Sequence, residues 1–573
     1  MKMLFRYIKP HTGIMSLGLF IKFLASMAEL VIPAILAKIV DDIVPTKDIT
    51  KIFIWGAVML VCSAAALVCN IVANRMAARS SGKITKKLRH DLFEKISYIS
   101  ARQTDRFTIP SLISRLTSDT YNVNQLLART QRMGVRAPIL LIGGITITLL
   151  LDPVLTLVLV AMLPFVVVVV YFVTKKSVPV YANAQNYLDN MVRTVQENIT
   201  GVRVIKALSK TEYEKKRFEQ VNEELSSEER KAGNITSITN PSSTLILNLG
   251  LTFVVIVGAI RVNAGTGTAG VIIAFLSYFT IILNALLGIT RIFMLYSKGV
   301  ASANRISQVI DANYEMPIEA PDSIQTDAHI QFEDVSFSYE GVEDNLSHIS
   351  FSLKKGETLG IIGATGSGKS TIINLLLRFY DADSGCIRIN GENIKSIPTD
   401  VLRKKFGIAF QNYFLMADTI RENVDYGRGL SDEEIRKALK ASQAYEFVSQ
   451  LPDGLDHMLT IKGSNLSGGQ RQRLIIARAL AAHPEILILD DSSSALDYKT
   501  DARLRKALHK QYADTTSLIV AQRISSIKNA EHILVLQEGK TIGYGTHSEL
   551  IENCPVYRHI SETQMGGEQY EED

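Results

Sequence analysis

Six long apolar segments occupy the first 300 residues and determine what this half of the chain can fold into. Each approaches or exceeds the roughly 20 residues that an α-helix needs to cross the hydrocarbon core of a bilayer. The clearest is the fourth, which carries no charged residue. The segments lie near residues 14–36, 52–73, 134–151, 154–173, 245–260 and 269–290. The sequence therefore predicts an α-helical transmembrane domain over residues 1–310, embedded in a lipid bilayer as a multi-pass protein.

Basic residues are distributed unequally among the connections between these spans. Ten Lys or Arg residues lie between residues 75 and 115, after the second span, whereas the turn at residues 151–153 has none. Because basic loops remain on the cytoplasmic side, we expect both termini and the long loops 75–133 and 175–240 to be cytoplasmic. The loops have helical periodicity, and a hairpin arm of about 29 residues extends roughly 40 Å. This distribution accounts for the net charge of +5 without a nucleic-acid partner.

The rest of the chain has the composition of a soluble domain. Residues 311–328 contain prolines and acids and indicate a linker. From about residue 329 to residue 562, short β-rich runs alternate with helical patterns, which predicts an α/β domain with helices packed on a sheet. Residues 563–573 are small and acidic, and we expect a disordered tail.

The second domain contains a phosphate-binding loop of the P-loop type. The pattern G-x-x-x-x-G-K-[ST] is complete in Gly363, Ala364, Thr365, Gly366, Ser367, Gly368, Lys369 and Ser370. It follows a predicted strand at 358–362 and precedes a predicted helix at 371–379, so backbone N–H groups and a helix N-terminus can surround a phosphate. In this P-loop NTPase arrangement Lys369 reaches the β- and γ-phosphates of ATP and Ser370 binds Mg²⁺.

Two further motifs accompany the loop. Asp490 ends the aliphatic strand 486–489, where a carboxylate can reach the magnesium shell. Upstream lies a short Gly-rich stretch formed by Leu466, Ser467, Gly468, Gly469 and Gln470. Its glycines permit close approach of a backbone to phosphate, and Ser467 places a hydroxyl at a predicted helix start.

Together these motifs resemble those of ATP-binding-cassette (ABC) transporters. The resemblance covers nearly the whole chain, because residues 111–119 and 201–206 resemble the coupling regions of ABC exporters with six spans per half. It implies that Tyr339 stacks on adenine, that Thr371 and Gln411 contribute to the ATP site, and that Mg²⁺ is held by Ser370, Gln411 and Asp490. It also implies that residues 466–470 close over the ATP of a partner cassette, so that two cassettes are required.

The chain departs from the family pattern at the residues that support hydrolysis. Asp491 stands where the family has a catalytic Glu, and Gln522 stands where it has a His. Ile461 replaces a Glu that exporters commonly carry before the signature. A carboxylate withdrawn by about 1 Å can lower a rate on the order of 10²-fold. We therefore expect a degenerate ATP site, and an intact signature that completes the working site of a different half-transporter.

Other interpretations stay open. The chain could form a slow homodimeric exporter, or an ATP-gated channel or regulatory subunit. The resemblance implies a multidrug-type exporter of the plasma (inner) membrane, but small molecules, lipids and peptides all remain possible substrates. Lys22 and Glu29 lie seven residues apart in the first span and near one helical face. They either line a substrate path or form a structural pair or snorkelling ends.

Overall fold

The computed structural model describes residues 2–312, 316–339, 341, 343–412, 414–492 and 494–565. Two compact units are present. The first contains residues up to Ser97 together with Pro110–Ala312, and the second contains Tyr98–Ile109 and the described residues after 312.

The first unit is helical, and so is the segment Tyr98–Ile109 that interrupts it in sequence. In chain order the α-helices are α1 (Lys2–Ile8), α2 (Thr12–Lys38), α3 (Ile49–Tyr98), α4 (Ala101–Phe107), α5 (Ile109–Ser114), α6 (Thr120–Arg129), α7 (Arg136–Leu151), α8 (Pro153–Thr200), α9 (Val202–Ala207), α10 (Thr211–Ser237), α11 (Thr239–Asn263) and α12 (Ala269–Ile310). Short π-helical turns at Ile39–Ile43, Arg115–Asp119 and Thr130–Gly134 interrupt or extend them.

Among the described residues, six helical stretches are long and apolar enough to cross a membrane, and each corresponds to one predicted span. They are Met3–Thr46, Ile49–Tyr98, Ile109–Leu151, Pro153–Thr200, Thr211–Asn263 and Ala269–Ile289. Helix α3 has 50 residues, which corresponds to about 75 Å at 1.5 Å per residue and far exceeds the hydrocarbon core. The predicted helical transmembrane domain is confirmed, and its helices extend well beyond the apolar segments.

Helix α12 lies at the centre of the first unit, in contact with α2, α6, α7 and α11. Its aromatic residues form the core there, with Phe275, Tyr278 and Phe279 buried. The Tyr278 hydroxyl donates a hydrogen bond of 2.6 Å to the Leu30 carbonyl of α2. A Cβ at Gly250 of α11 would lie 2.2 Å from the Phe279 ring, so only a glycine permits this approach. The spans are therefore held together by close aromatic packing.

The second unit contains two sheets with helices packed around them. The strands are β1 (Ile330–Phe337), β2 (Leu346–Leu353), β3 (Thr358–Gly363), β4 (Ser384–Ile389), β5 (Glu392–Asn393), β6 (Phe406–Ala409), β7 (Ile486–Asp490), β8 (Thr516–Val520), β9 (His532–Gln537) and β10 (Lys540–Gly545). The order is β2-β1-β4-β5 in an antiparallel sheet and β10-β9-β3-β8-β7-β6 in a sheet whose pairs are parallel except β9 with β10.

The helices of the second unit complete the predicted α/β architecture. They are α13 (Lys369–Leu376), α14 (Thr399–Lys404), α15 (Ile420–Asp425), α16 (Asp432–Ala441), α17 (Tyr445–Ser449), α18 (Gly468–Leu480), α19 (Tyr498–Gln511), α20 (His547–Asn553) and α21 (Pro555–Met565). In the six-stranded sheet β3 lies between β9 and β8, and β7 follows β8. Because parallel strands end at the same edge, the loops after β3 and β7 lie close together at one edge of this sheet.

Two predicted domain boundaries differ from the structure. Residues 98–109, assigned by sequence to the transmembrane domain, belong to the second unit. There a capping box at Ser100 starts α4, and the Tyr380 hydroxyl donates a hydrogen bond of 2.5 Å to Asp105 Oδ2. Helix α21 continues to Met565, so the first three residues of the predicted tail are helical. Residues 566–573 of that tail lie outside the described part of the chain.

Candidate nucleotide-binding site

The loop between β3 and α13 has a backbone that depends on glycine. Gly366 and Gly368 have φ angles of 83° and 98°, in the left-handed region that side chains disfavour. A Cβ at Gly363 would lie 2.2 Å from the Leu536 carbonyl oxygen of β9. The loop can therefore turn tightly off the strand and present its N–H groups and the N-terminus of α13 to an anion.

Lys369 lies folded across this loop. Its Nζ donates hydrogen bonds of 2.8 Å to the Gly363 carbonyl and 2.7 Å to the Ala364 carbonyl. Burial lowers the pKa of this ammonium below its ordinary value, while the nearby Asp490 and Asp491 carboxylates act in the opposite direction. The buried Ser367 hydroxyl has no hydrogen-bond partner among the described residues. An ammonium and an unpartnered hydroxyl in a glycine loop fit the phosphates of a nucleotide.

Oxygen ligands suited to Mg²⁺ lie beside the loop. The Ser370 hydroxyl donates a hydrogen bond of 3.2 Å to Asp490 Oδ2, and Asp490 is buried at the end of β7. Burial raises the pKa of Asp490 above its ordinary value. Ser370, Asp490 and Gln411 line one cavity of about 280 Å³. Hydroxyl, carboxylate and amide oxygens are the donors that this ion prefers, so the three residues fit a magnesium site.

The two altered residues meet inside the same cavity. Gln522 Nε2 donates a hydrogen bond of 2.8 Å to Asp491 Oδ2, and Gln411 Nε2 donates one of 3.4 Å to the same oxygen. Gln522 is itself fixed, since its backbone carbonyl accepts a hydrogen bond of 2.9 Å from Gln564 Nε2. Burial raises the pKa of Asp491, and the amide hydrogen bonds oppose that shift. The carboxylate that follows β7 is therefore engaged by two amides.

Tyr339, expected to stack on adenine, lies beside helix α13. Its hydroxyl contacts Thr371 Oγ1 at 3.4 Å and accepts a hydrogen bond of 3.0 Å from Asn374 Nδ2. Its ring is about one-third exposed and packs edge-to-face against Tyr380 at 5.0 Å. The ring therefore has a partly free surface next to the first turn of the helix that follows the loop.

The signature stretch forms the start of helix α18. Ser467 caps the helix, accepting a hydrogen bond of 3.3 Å from the Gln470 backbone N–H, while its own N–H donates to Gln470 Oε1 at 2.9 Å. A Cβ at Gly469 would lie 3.1 Å from the Ala495 carbonyl oxygen. Within the described residues, Leu466 to Gln470 lie outside the lining of the 280 Å³ cavity. The stretch thus forms a capped, glycine-rich helix start that does not line the chain's own phosphate-loop cavity.

Comparison with known proteins identifies the family. The family model for an ABC transporter transmembrane region matches residues 15–286, and the model described as ABC transporter matches residues 346–494. Two uncharacterized ABC transporter ATP-binding proteins resemble the chain along its length. YfiB of Bacillus subtilis is 34% identical and covers 98% of both chains, and MT1311 of Mycobacterium tuberculosis is 33% identical and covers 98% of this chain and 97% of its own. The chain belongs to the ABC transporter family.

A solved structure shows the same fold. The structure of a bacterial Atm1-family ABC exporter with ATP bound matches with a TM-score of 0.83 and covers 96% of this chain and 99% of its own, at 23% identity. This ABC transporter therefore joins a membrane domain of six apolar helices to an ATP-binding cassette of an ATPase family.

The structure also places residues that sequence reasoning missed in this ABC transporter's site. Asn345 and Val520 line the cavity. The Asn345 side-chain oxygen accepts a hydrogen bond of 2.9 Å from the Tyr339 backbone N–H. No local motif marks Asn345, because the pairing of β1 with β2 brings it to the loop. Ile461, the third departure from the family pattern, is 71% exposed and lies away from this cavity.

Proposed function

We propose that this chain is one half of a heterodimeric, multidrug-type ABC exporter of the plasma membrane, with a degenerate ATP site of its own. The observation that carries the proposal is the 2.8 Å hydrogen bond from Gln522 to Asp491. The two residues that differ from the family's hydrolytic pair contact each other, and so they form one altered assembly.

The geometry of Asp491 disfavours hydrolysis. A general base must reach the proton that it accepts, and the aspartate side chain is one methylene shorter than the family's glutamate. Its Oδ2 also accepts hydrogen bonds from Gln522 and Gln411. Gln522 can donate to a phosphate but has no imidazole to titrate. Because both residues act in one assembly, their effects on the rate are not independent.

ATP binding is retained by the same site. Lys369 and the loop N–H groups would hold the phosphates, and Ser370, Gln411 and Asp490 would hold Mg²⁺. The ion supplies positive charge that neutralises the phosphate oxygens. Ser467 and its neighbours at the start of α18 do not line this cavity and would complete the ATP site of the second half-transporter. This chain therefore holds one ATP for control and contributes its signature to the site that hydrolyses the other.

Export as the direction of transport is supported by the likeness of the fold to that of a solved ABC exporter and by the family resemblance of the membrane domain. The basic loops support a cytoplasmic position for the cassette and both termini. ATP binding joins the two cassettes, and hydrolysis at the partner's site resets the membrane domain. The substrate is a small molecule, a lipid or a peptide that enters from the membrane or the cytoplasm.

ATPase assays test this proposal directly. The purified chain alone is expected to bind ATP but to hydrolyse it slowly, and the complex with its cognate half-transporter is expected to hydrolyse it rapidly. Lys369→Ala serves as the control that removes ATP from this chain's site. Brisk hydrolysis by the chain alone, abolished by Asp491→Asn, would refute the heterodimer proposal and support a homodimeric exporter instead.

Vesicle transport separates export from the channel interpretation. ATP-dependent accumulation of substrate against a gradient in inverted vesicles is expected for an exporter. Single-channel conductance gated by ATP, without such accumulation, would refute it. Nucleotide trapping is expected to show long-lived ATP at this chain's site, and rapid exchange at both sites would contradict the division of labour.

A further inference from the structure

A buried cation lies within the membrane-spanning part of the chain. Lys22 of α2 is 4% exposed, and its Nζ donates hydrogen bonds of 2.5 Å to Asn70 Oδ1 and 3.4 Å to Asn74 Oδ1 on α3. Across the described residues, no carboxylate forms an ion pair with it. Ionisable residues in spans are costly and commonly mark functional sites. The charge of Lys22 is therefore solvated by neutral amides alone.

The carboxylate near Lys22, that of Glu29, is already paired with another cation, Arg136. Glu29 Oε2 accepts hydrogen bonds of 2.8 Å and 3.3 Å from the Arg136 guanidinium. Glu29 Oε1 accepts one of 2.9 Å from Asn70 Nδ2. The Asn70 amide thus separates the two charges of the first span, binding Lys22 through its oxygen and Glu29 through its nitrogen. Among the described residues no carboxylate contacts Lys22 directly, and Glu29, which attracts it from beyond Asn70, is already paired with Arg136.

A third cation lies next to this network. Arg132 belongs to the π-helical turn Thr130–Gly134 before α7. Arg132 and Arg136 repel the Lys22 ammonium, whereas Glu29 attracts it. The Arg132 Nε is buried and has no hydrogen-bond partner within the part of the chain that the structure describes. A buried donor without an acceptor is unfavourable, and an anion would satisfy it. Among these described groups there are three basic side chains, Lys22, Arg132 and Arg136, and one carboxylate, Glu29. The group therefore has an excess of positive charge.

We propose that Lys22 and Arg132, with the amides of Asn70 and Asn74, bind the anionic group of an amphipathic substrate. A carboxylate or a phosphate supplies the missing negative charge and the missing acceptor, and both groups are good partners for Lys and Arg. The site lies between membrane-spanning helices, so the remainder of the ligand is surrounded by apolar side chains or by lipid. The inference deepens the export function proposed above and rests on it.

Binding without nucleotide tests this site independently of hydrolysis. The full-length transporter, with its partner half where it requires one, is placed in nanodiscs of zwitterionic phosphatidylcholine. Radiolabelled oleate supplies a carboxylate and radiolabelled phosphatidic acid supplies a phosphate, with oleyl alcohol and oleylamine as neutral and cationic comparisons. Saturable binding of oleate or of phosphatidic acid is expected, and the anion that binds identifies the source. The neutral and cationic compounds are expected not to compete.

Matched variants locate the site. Lys22→Gln is expected to weaken anion binding about tenfold or more, since it removes a charged hydrogen-bond donor. Lys22→Arg keeps the charge and is expected to retain binding. Lys38→Gln changes the same charge on an exposed residue of α2 and is expected to have no effect. If Lys22→Gln does not fold, Arg132→Gln decides the question, with the same tenfold expectation.

Two results would overturn the inference. One is the absence of saturable binding for both anions, and the other is unchanged binding in Lys22→Gln or, where that variant does not fold, in Arg132→Gln. Because no ATP is present, failure of the proposed heterodimeric ATPase leaves this measurement intact. Conversely, a transporter with the expected ATPase behaviour but no anion binding refutes only the substrate class.

Discussion

Restoring the family residues at positions 491 and 522 should restore hydrolysis at this chain's site. Asp491→Glu adds one methylene, which moves the carboxylate outward by about 1 Å or slightly more, and positional changes of this size alter rates by about 10²-fold. Such a factor corresponds to about 2.7 kcal/mol of activation free energy. Gln522→His removes the amide that donates to Asp491 Oδ2 at 2.8 Å. We therefore expect the double variant to gain about 10²-fold, and each single variant to gain much less.

The assay isolates this site by using a complex in which the partner's catalytic glutamate is changed to glutamine. Phosphate release per complex then reports this chain's site. Asp491 has a φ angle of 47°, a left-handed conformation that Asp tolerates better than Glu. The Glu variant is expected to lose about 1 kcal/mol of stability. Thermal unfolding without nucleotide serves as the control for that effect. A folded double variant with an unchanged rate would refute the assignment of these two residues as the cause of slow hydrolysis.

Three further predictions concern packing, protonation and the link to the signature. Gly250→Ala is expected to destabilise the membrane domain by about 1–3 kcal/mol in thermal unfolding, because its Cβ would lie 2.2 Å from Phe279, whereas Gly233→Ala, with open space around it, is expected to stabilise it slightly. Asp490→Asn is expected to raise the melting temperature of the nucleotide-free chain at neutral pH. Since burial raises the pKa of Asp490, the ionised carboxylate destabilises the fold at neutral pH, and the gain should shrink as pH falls through its folded pKa. Gln472→Ala is expected to lower hydrolysis at the partner's site at least several-fold while leaving ATP binding by this chain unchanged, which filter binding and phosphate release measure separately.

The spans and the phosphate loop could be predicted from sequence because local rules determine both. Bilayer thickness sets the length of an apolar segment, and each of the six segments lies in one long helical stretch among the described residues. The loop at 363–370 needs only a strand before it and a helix after it, and β3 and α13 supply them. Helix α13 nevertheless starts at Lys369, two residues earlier than predicted, because Gly368, in the left-handed region, is its N-cap residue.

Contacts between distant segments could not be predicted in this way. Asn345 reaches the cavity through the pairing of β1 with β2, and Asn70 meets Lys22 only because two spans pack side by side. The sequence placed Lys22 and Glu29 on one helical face and left their role open. The structure shows that each has different partners, which local periodicity does not encode. Likewise, the sequence assigned the residues of helix α4 to a long loop of the transmembrane domain, but in the structure they belong to the second unit.

Hydrogen bonds connect Asp491 with the helix that carries the signature, and under the proposed division of labour they give an ATP held at this site a route to the partner's site. The Ser494 hydroxyl donates a hydrogen bond of 3.0 Å to the Asp491 carbonyl, and Gln472 Nε2 donates one of 3.2 Å to Ser494 Oγ. Gln472 Oε1 also accepts a hydrogen bond of 3.0 Å from the Ala495 N–H. Gln472 is buried in α18, the helix whose first residues carry the signature. Under the proposed division of labour, a change at Asp491 or Ser494 is therefore expected to reach α18, so a site that hydrolyses ATP slowly would stay coupled to the partner's site.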